Sequence, residues 1–185
     1  KGFFQFKGAI DEPTQAYFYG NRKFNNPDDA NSILLFLEPR QMNVLFEVND
    51  FKDGQITGSK THAEYTIYNK QIEALQKKWK PMFDSLEQGR SVKDEKTINL
   101  VNNTQLPIYL KEHQNTSLHF IKQYPYSYVS ASLLRKQTQE LPLDSLRALF
   151  QLLSVAVKES RNGSFINDFI TNGESLFIGT KAPDF

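Results

Sequence analysis

The chain has 185 residues, a length that fits one large domain or two small ones. Fifteen Phe, eight Tyr and one Trp supply enough apolar surface for a core, so the composition predicts a folded chain. A net charge of +1, spread along the sequence, gives no concentrated positive field for nucleic acid or anionic lipid. Because these residues include no cysteine, disulfide exchange, thiolate nucleophiles and Cys-based zinc sites are excluded within them.

The first third of the chain is predicted to form β-strands. Apolar or alternating runs separated by turn-rich segments occur at 4–6, 16–19, 33–37, 42–48 and 55–57. Pro39 lies between the third and fourth runs, which favours a hairpin of these two. The last run ends at Gly58. We therefore expect an antiparallel, meander-like sheet packed as a small β-sandwich over residues 1–58.

After Gly58 the hydrophobic period becomes that of a helix. Apolar and aromatic residues recur at steps of three and four, namely Tyr65, Tyr68, Ile72, Leu75, Trp79, Met82 and Leu86. This stripe predicts one long amphipathic helix, with a capping box of Thr61 and Glu64 at its start. Pro81 should kink the last turn, and Gly89 is the predicted end.

Further helices are predicted beyond this point. Residues 90–105 are polar, and their pattern leaves a loop or the start of a helix open. Later helices are predicted from Pro107 to Pro125, over 128–134, over 143–157 with Pro142 near the first turn, and after Gly163. Strands followed by helices indicate an α+β fold, a small antiparallel β-sandwich at 1–58 followed by a helical subdomain at 59–177. No apolar run approaches the roughly 20 residues of a membrane span.

The three histidines do not predict a metal or catalytic site. His62 lies at a predicted helix start, whereas His113 and His119 are six residues apart on a later helix and share no face well. Glu112 and His113 lack the second histidine of a zinc protease motif. We expect surface or half-buried histidines and no metal-binding residues.

Other catalytic patterns are also missing from the sequence. There is no G-x-S-x-G nucleophile elbow, and we interpret Gly58-Ser59 and Gly163-Ser164 as helix-start signals. The glycines occur singly rather than in a phosphate-binding loop. Asp28-Asp29 falls in a predicted solvent-facing turn, where burial cannot raise a carboxyl pKa for acid–base work. The sequence therefore predicts no catalytic and no cofactor-binding residue.

An aromatic group near the first strands leaves two interpretations open. Tyr17, Phe18 and Tyr19, together with Phe24, could line a ligand groove, since tyrosine offers a flat apolar face with a polar tip. A strand packed on the sandwich core is the alternative, which we favour.

Several short motifs carry a family resemblance. Residues 178–185, Ile-Gly-Thr-Lys-Ala-Pro-Asp-Phe, resemble the lead-in to thioredoxin-like domains of the alkyl hydroperoxide reductase/thiol-specific antioxidant (AhpC/TSA) type and of envelope oxidoreductases related to TlpA and ResA. Four other segments resemble a domain of unknown function that precedes such oxidoreductases. These are Phe6–Ile10 (its first strand), Leu37-Glu38-Pro39 (its strand-closing motif), Ile56–Ser59 (its "xGS" motif before a long helix) and Phe120–Ser127 (its Phe-Ile-x-x-x-Pro-x-Ser stretch).

The resemblance implies a role without chemistry for this part of the protein. The family's Cys-x-x-Cys lies downstream of the Ala-Pro-Asp-Phe segment, so no redox residue can be carried over. Arg40 stands where the family commonly has Gly, which implies a different turn after Glu38-Pro39. We expect an accessory domain of a cell-envelope thiol-disulfide oxidoreductase, with residues 178–185 leading into the redox domain.

The resemblance also implies a location and partners. The parent enzyme would be periplasmic or held at the envelope, with a lipid anchor before Lys1 as one form. The partners would be its own downstream thioredoxin-like domain and protein substrates or redox partners in the envelope, without nucleic acid. The alternative is an independent periplasmic module that binds a small molecule or glycan through the strand of Tyr17 and Tyr19.

Overall fold

The computed structural model describes residues 2–20 and 29–175. The chain divides into two compact units, Lys1–Thr66 and Ile67–Phe185, which we call the strand unit and the helical unit. Two small antiparallel two-stranded sheets come first, and helices follow. The predicted α+β class is therefore confirmed. Within the described residues, no helix is both long enough and apolar enough to cross a bilayer.

The strands are β1 (Thr14–Tyr19), β2 (Ser32–Leu37), β3 (Asn43–Glu47) and β4 (Asp50–Thr57). The helices are α1 (Lys60–Lys78), α2 (Lys80–Ser91), α3 (Glu95–Thr104), α4 (Leu106–Gln123), α5 (Tyr128–Lys136), α6 (Leu143–Leu152), α7 (Val155–Lys158) and α8 (Arg161–Ser175).

The strand pairing differs from the predicted hairpin. β2 pairs with β1 rather than with β3, and β3 pairs with β4. The tight turn between β3 and β4 contains Asn49, whose φ of 68° lies in the left-handed region that asparagine tolerates. A residue outside the hairpin also stabilises this turn, because the Asn49 amide donates to the side-chain oxygen of Asn31 at 2.6 Å. Pro39 therefore separates two sheets instead of closing one hairpin.

The predicted strand at Phe4 and Phe6 is absent, since residues 2–10 form no ladder. The two rings instead pack against Phe18 of β1, with centroids 5.3 and 6.0 Å from it. Phe18 also contacts Phe46 and Phe51 at 5.3 and 5.7 Å. The alternating pattern therefore reflects membership of an aromatic cluster, and rings supply much of the packing in the strand unit.

The long predicted helix is two helices. α1 ends at Lys78 and α2 starts at Lys80, with Pro81 in the first turn of α2, where its missing N–H is tolerated. Gly89 does not end α2. It lies buried inside that helix, where an added Cβ would come within 3.1 Å of Ile98 on α3. The glycine thus allows α2 and α3 to approach closely.

The later helices largely follow the predictions. The open question at residues 90–105 is resolved as α3, which Asp94 caps by accepting from the Lys96 and Thr97 amides at 3.1 and 3.2 Å. The helix predicted over 143–157 is broken at Leu153 into α6 and α7. Gly163-Ser164 is not a helix start. α8 begins at Arg161, and the Gly163 amide donates to the Ser160 hydroxyl at 3.1 Å.

The helical unit is packed through apolar side chains of several helices. Helices α4, α5, α6 and α8 contact one another and carry fully buried side chains, namely Phe120, Ile121, Leu134, Leu146 and Ile166. A hydrophobic cluster joins α2, α3 and α4 through Met82, Leu86, Val101 and Tyr109, with Trp79 packed against it. The predicted helical faces supply these residues except Val101, which lies in the segment 90–105 that the sequence left undecided.

Candidate functional site

Residues of two family-like motifs come together at the start of α1. Glu38, just after β2, accepts the Thr61 amide at 2.6 Å and the Ser59 hydroxyl at 3.3 Å through Oε1. The Ser59 hydroxyl oxygen in turn accepts the His62 amide at 2.9 Å. We call this group, together with Gly58, the α1 junction. Its contacts satisfy first-turn amides that a helix cannot satisfy itself.

The capping box predicted from Thr61 and Glu64 is wrong. Thr61 lies inside the helix, and its amide is satisfied by a carboxylate from 23 residues earlier. Glu64 instead lies 3.7 Å from the Lys60 ammonium, one turn back on the same helix. Gly58-Ser59 as a helix-start signal is confirmed, because the Ser59 hydroxyl makes the capping hydrogen bond.

Gly58 allows the chain to enter the junction. Its φ is +87°, and a Cβ there would lie 2.5 Å from the carbonyl oxygen of Gln41. A side chain at this position would therefore meet both backbone strain and a backbone atom. In the "xGS" motif, the glycine thus allows the left-handed backbone conformation and the close approach to Gln41, and the serine caps the helix.

The charge of Glu38 is stabilised in place. Burial tends to raise the pKa of this carboxyl, but the hydrogen bonds from Thr61, the Arg40 charge and the Ser59 hydroxyl outweigh burial and lower it. Arg40 Nε lies 3.4 Å from the second carboxylate oxygen. Arg40 thus supplies a counter-charge to the Glu38 carboxylate.

His62 is more buried than predicted, with 8% of its surface exposed. Its Nδ1 accepts the Phe36 amide of β2 at 3.4 Å, and its ring centroid lies 5.9 Å from that of Tyr65. Burial lowers the pKa of the imidazole, so the neutral ring is favoured. Contacts with β2 and with Tyr65 accompany this burial, and the β2 contact could not be predicted from the position of His62 in the sequence.

Comparison with known proteins recognises the part of the chain that contains the α1 junction. Residues 1–65 match the family model of DUF4369, described as a domain of unknown function. No match was found among curated proteins or among solved structures. The DUF4369 segment, residues 1–65, contains three of the five motifs that carry the resemblance. The motifs at 120–127 and 178–185 lie beyond it, and residues 178–185 also lie outside the described residues.

The aromatic group in the DUF4369 segment is divided between two faces of β1. Phe18 joins the aromatic cluster, as the favoured interpretation predicts. Tyr17 and Tyr19 lie on the other face, with their rings stacked 5.7 Å apart at 15°. Tyr17 is 52% exposed. Phe24 lies outside the described residues.

The remaining candidate residues do not converge. His113 is half-buried on α4, where burial and then the Lys136 charge lower its pKa, and His119 is exposed on the same helix. Glu112, beside His113, binds the Lys78 ammonium at 2.7 Å and the Trp79 indole N–H at 2.8 Å. Among residues 2–20 and 29–175, no three His, Asp or Glu side chains are grouped to hold a metal ion.

Two further polar groups are used in turns and caps. Asp29 accepts the Asn31 amide at 2.7 Å, which fits the turn predicted there, while Asp28 lies outside the described residues. A shallow depression between α2 and α3 includes Ser85, Gln88 and Asp94. Both carboxylate oxygens of Asp94 are engaged in capping α3.

Replacing Glu38 by Gln should weaken the α1 junction at neutral pH. We expect the free energy of unfolding of the strand unit to fall by about 1 kcal/mol at pH 7, because the capping hydrogen bonds lose their charge. The pKa of Glu38 is lowered on folding from its ordinary 4.5. Its stabilisation is therefore complete above pH 4.5 and is lost as the pH falls through the lower folded value. The difference between wild type and variant should thus shrink as the pH falls below 4.5.

Urea titrations followed by amide signals of β1 and β2 would measure this effect residue by residue. Glu47→Gln is the matched control, because Glu47 is exposed on β3. We expect Glu47→Gln to unfold like the wild type at pH 7. A Glu38→Gln difference that does not shrink as the pH is lowered below 4.5 would contradict the charge-based account.

Proposed function

We propose that this chain is the non-catalytic N-terminal accessory part of a cell-envelope thiol-disulfide oxidoreductase. The order of features along the chain carries the proposal. A DUF4369 segment at 1–65 is followed by helices, and then by the Gly-x-x-Ala-Pro-Asp-Phe sequence at 179–185 that resembles the start of a thioredoxin-like domain. The thiol chemistry would belong to the downstream domain, since these 185 residues contain no cysteine.

The geometry of the DUF4369 segment supports an architectural role. The motif residues Glu38, Gly58 and Ser59 all act within the fold, by capping α1 or by allowing close backbone approach. In the proposed parent protein, this part positions the redox domain or contacts its protein partners in the periplasm or at the envelope. Such a role requires a stable surface rather than a reactive group.

The reading frame gives the first test. Codons after Phe185 should encode a thioredoxin-like domain with a Cys-x-x-Cys motif. A stop codon directly after Phe185 would overturn the proposal, as would a downstream domain of another class.

Disulfide reduction gives the second test. The 185-residue chain should reduce insulin no faster than the dithiothreitol background, whereas the parent protein should do so through its two cysteines. A parent lacking residues 1–177 should still reduce a small disulfide, which reports that its redox domain is folded. That variant should lose activity toward envelope protein substrates. Turnover by the 185-residue chain alone, or full protein-substrate activity of the deletion variant, would contradict the accessory role.

A second candidate is an independent periplasmic module that binds a small molecule or glycan. The half-exposed Tyr17, stacked on Tyr19, is the observation that favours it. A ligand at one hundred times its dissociation constant would stabilise the fold by about 2.7 kcal/mol, which a thermal-shift screen detects. A shift abolished by Tyr17→Ala but kept in Tyr126→Ala, a similarly exposed tyrosine of the helical unit, would favour this candidate over the accessory role.

A further inference from the structure

Two hydrogen bonds join the first turn of α1 to β2 and the residue after it. The Thr61 amide donates to Glu38 at 2.6 Å, and the Phe36 amide donates to Nδ1 of His62 at 3.4 Å. Phe36 and His62 are both buried, and the Tyr65 ring contacts both of their rings, with centroids 5.3 and 5.9 Å away. The imidazole thus accepts an amide of β2 in a site with little access to water.

This contact requires an unprotonated Nδ1. Protonation turns that nitrogen into a donor, which would then face the Phe36 amide, another donor. It would also place a positive charge in a buried site, and this cost is the reason that burial lowers the pKa of His62. A protonated ring therefore loses its hydrogen bond to the Phe36 amide, and the cost of a buried charge favours its movement out of the site.

The ionisable side chains next to the contact do little to stabilise a positive charge on the His62 ring. They are Glu38 and Arg40 after β2, and Lys60, Glu64 and Tyr65 on α1. The Glu38 carboxylate is bound by Thr61, Ser59 and Arg40, and Glu64 lies beside Lys60. The pKa of Glu38 is lowered from 4.5, so its carboxylate stays charged and bound to Thr61 between pH 7 and pH 5.

We propose that the α1 junction is an acid-sensitive latch, in which protonation of His62 releases the first turn of α1 from β2. The latch is independent of the proposed accessory role. The open form binds a proton at the ordinary histidine value of 6.5, whereas the closed form does so only at lower pH. The latch therefore stays closed above pH 6.5 and opens progressively below it, by up to about tenfold per pH unit.

Hydrogen exchange of the Phe36 amide between pH 7 and pH 5 tests the latch. After correction for intrinsic exchange, protection should fall by up to about tenfold per pH unit below 6.5. His62→Asn places an oxygen acceptor near the position of Nδ1 without a titrating group, so its Phe36 protection should not vary with pH. His119→Asn removes an exposed histidine from α4 and should behave like the wild type.

Three results would overturn the latch. The first is pH-independent protection of Phe36 in the wild type, and the second is wild-type pH dependence in His62→Asn. The third comes from an NMR titration of the His62 ring in the wild-type chain, which needs no variant to fold. A titration midpoint at or above 6.5 would show that the closed junction does not disfavour the proton.

Discussion

Leu146→Ala is expected to lower the free energy of unfolding of the helical unit by about 3–4 kcal/mol. Leu146 is fully buried in α6, which packs against α4, α5 and α8. Removing its branched end loses apolar burial and leaves a cavity that rigid neighbouring helices fill only in part. Urea denaturation followed by the fluorescence of Trp79, the single tryptophan and a residue of the helical unit, measures the loss.

The same helix offers a matched control. Leu152 is 53% exposed at the end of α6, so Leu152→Ala makes the same chemical change with little loss of burial. We expect Leu152→Ala to cost less than about 1 kcal/mol, since alanine is also a good helix former. Equal losses for the two variants would show that Leu146 is not in the core.

Helical faces could be predicted from the sequence because their signal is local. Leu146 and Leu149 recur at a helical step, and both are buried. No glycine or proline marks the break at Leu153, so the helical pattern of apolar residues continues across it and predicts a single helix. There the Ser154 amide donates to the Pro125 carbonyl at 2.9 Å, a bond between residues 29 positions apart that no local pattern contains.

Strand pairing could not be predicted as well, because the local hydrophobic pattern does not specify which strand is the partner. The run at 33–37 had two possible partners, and the nearer one in sequence was the wrong one. Phe4 and Phe6 alternate as strand residues do, yet their rings are held by Phe18 and not by a ladder. In both cases tertiary packing overrides a pattern of period two.

Only part of the α1 junction could be predicted from the sequence. Ser59 could be recognised, because serine after glycine before a helical stripe is a common cap. Glu38 could not, since it reaches Thr61 from 23 positions away and from another element. The burial of His62 could not be predicted for the same reason, because its Nδ1 contacts the Phe36 amide of β2, 26 positions earlier in the chain.

Gly58→Ala should destabilise the strand unit by about 2–4 kcal/mol, the sum of left-handed backbone strain and overpacking. The φ of +87° disfavours any side chain, and the new Cβ would lie 2.5 Å from the Gln41 carbonyl oxygen and 3.0 Å from the Met42 Cα. Neither obstacle is a flexible side-chain end, so relief requires the backbone to move. Such movement would also displace Ser59 from its position as the cap of α1.

Gly8→Ala is the matched control for the loss of stability expected in Gly58→Ala. No atom lies within 4 Å of a Cβ built at Gly8, which belongs to the same unit. Its change in stability should stay within about 0.5 kcal/mol, the range for unconstrained surface positions. Amide signals of β1 to β4 in urea would compare the two variants directly. If Gly58→Ala proved as harmless as Gly8→Ala, the glycine of the "xGS" motif would have no structural role, and its place in the α1 junction would need another explanation.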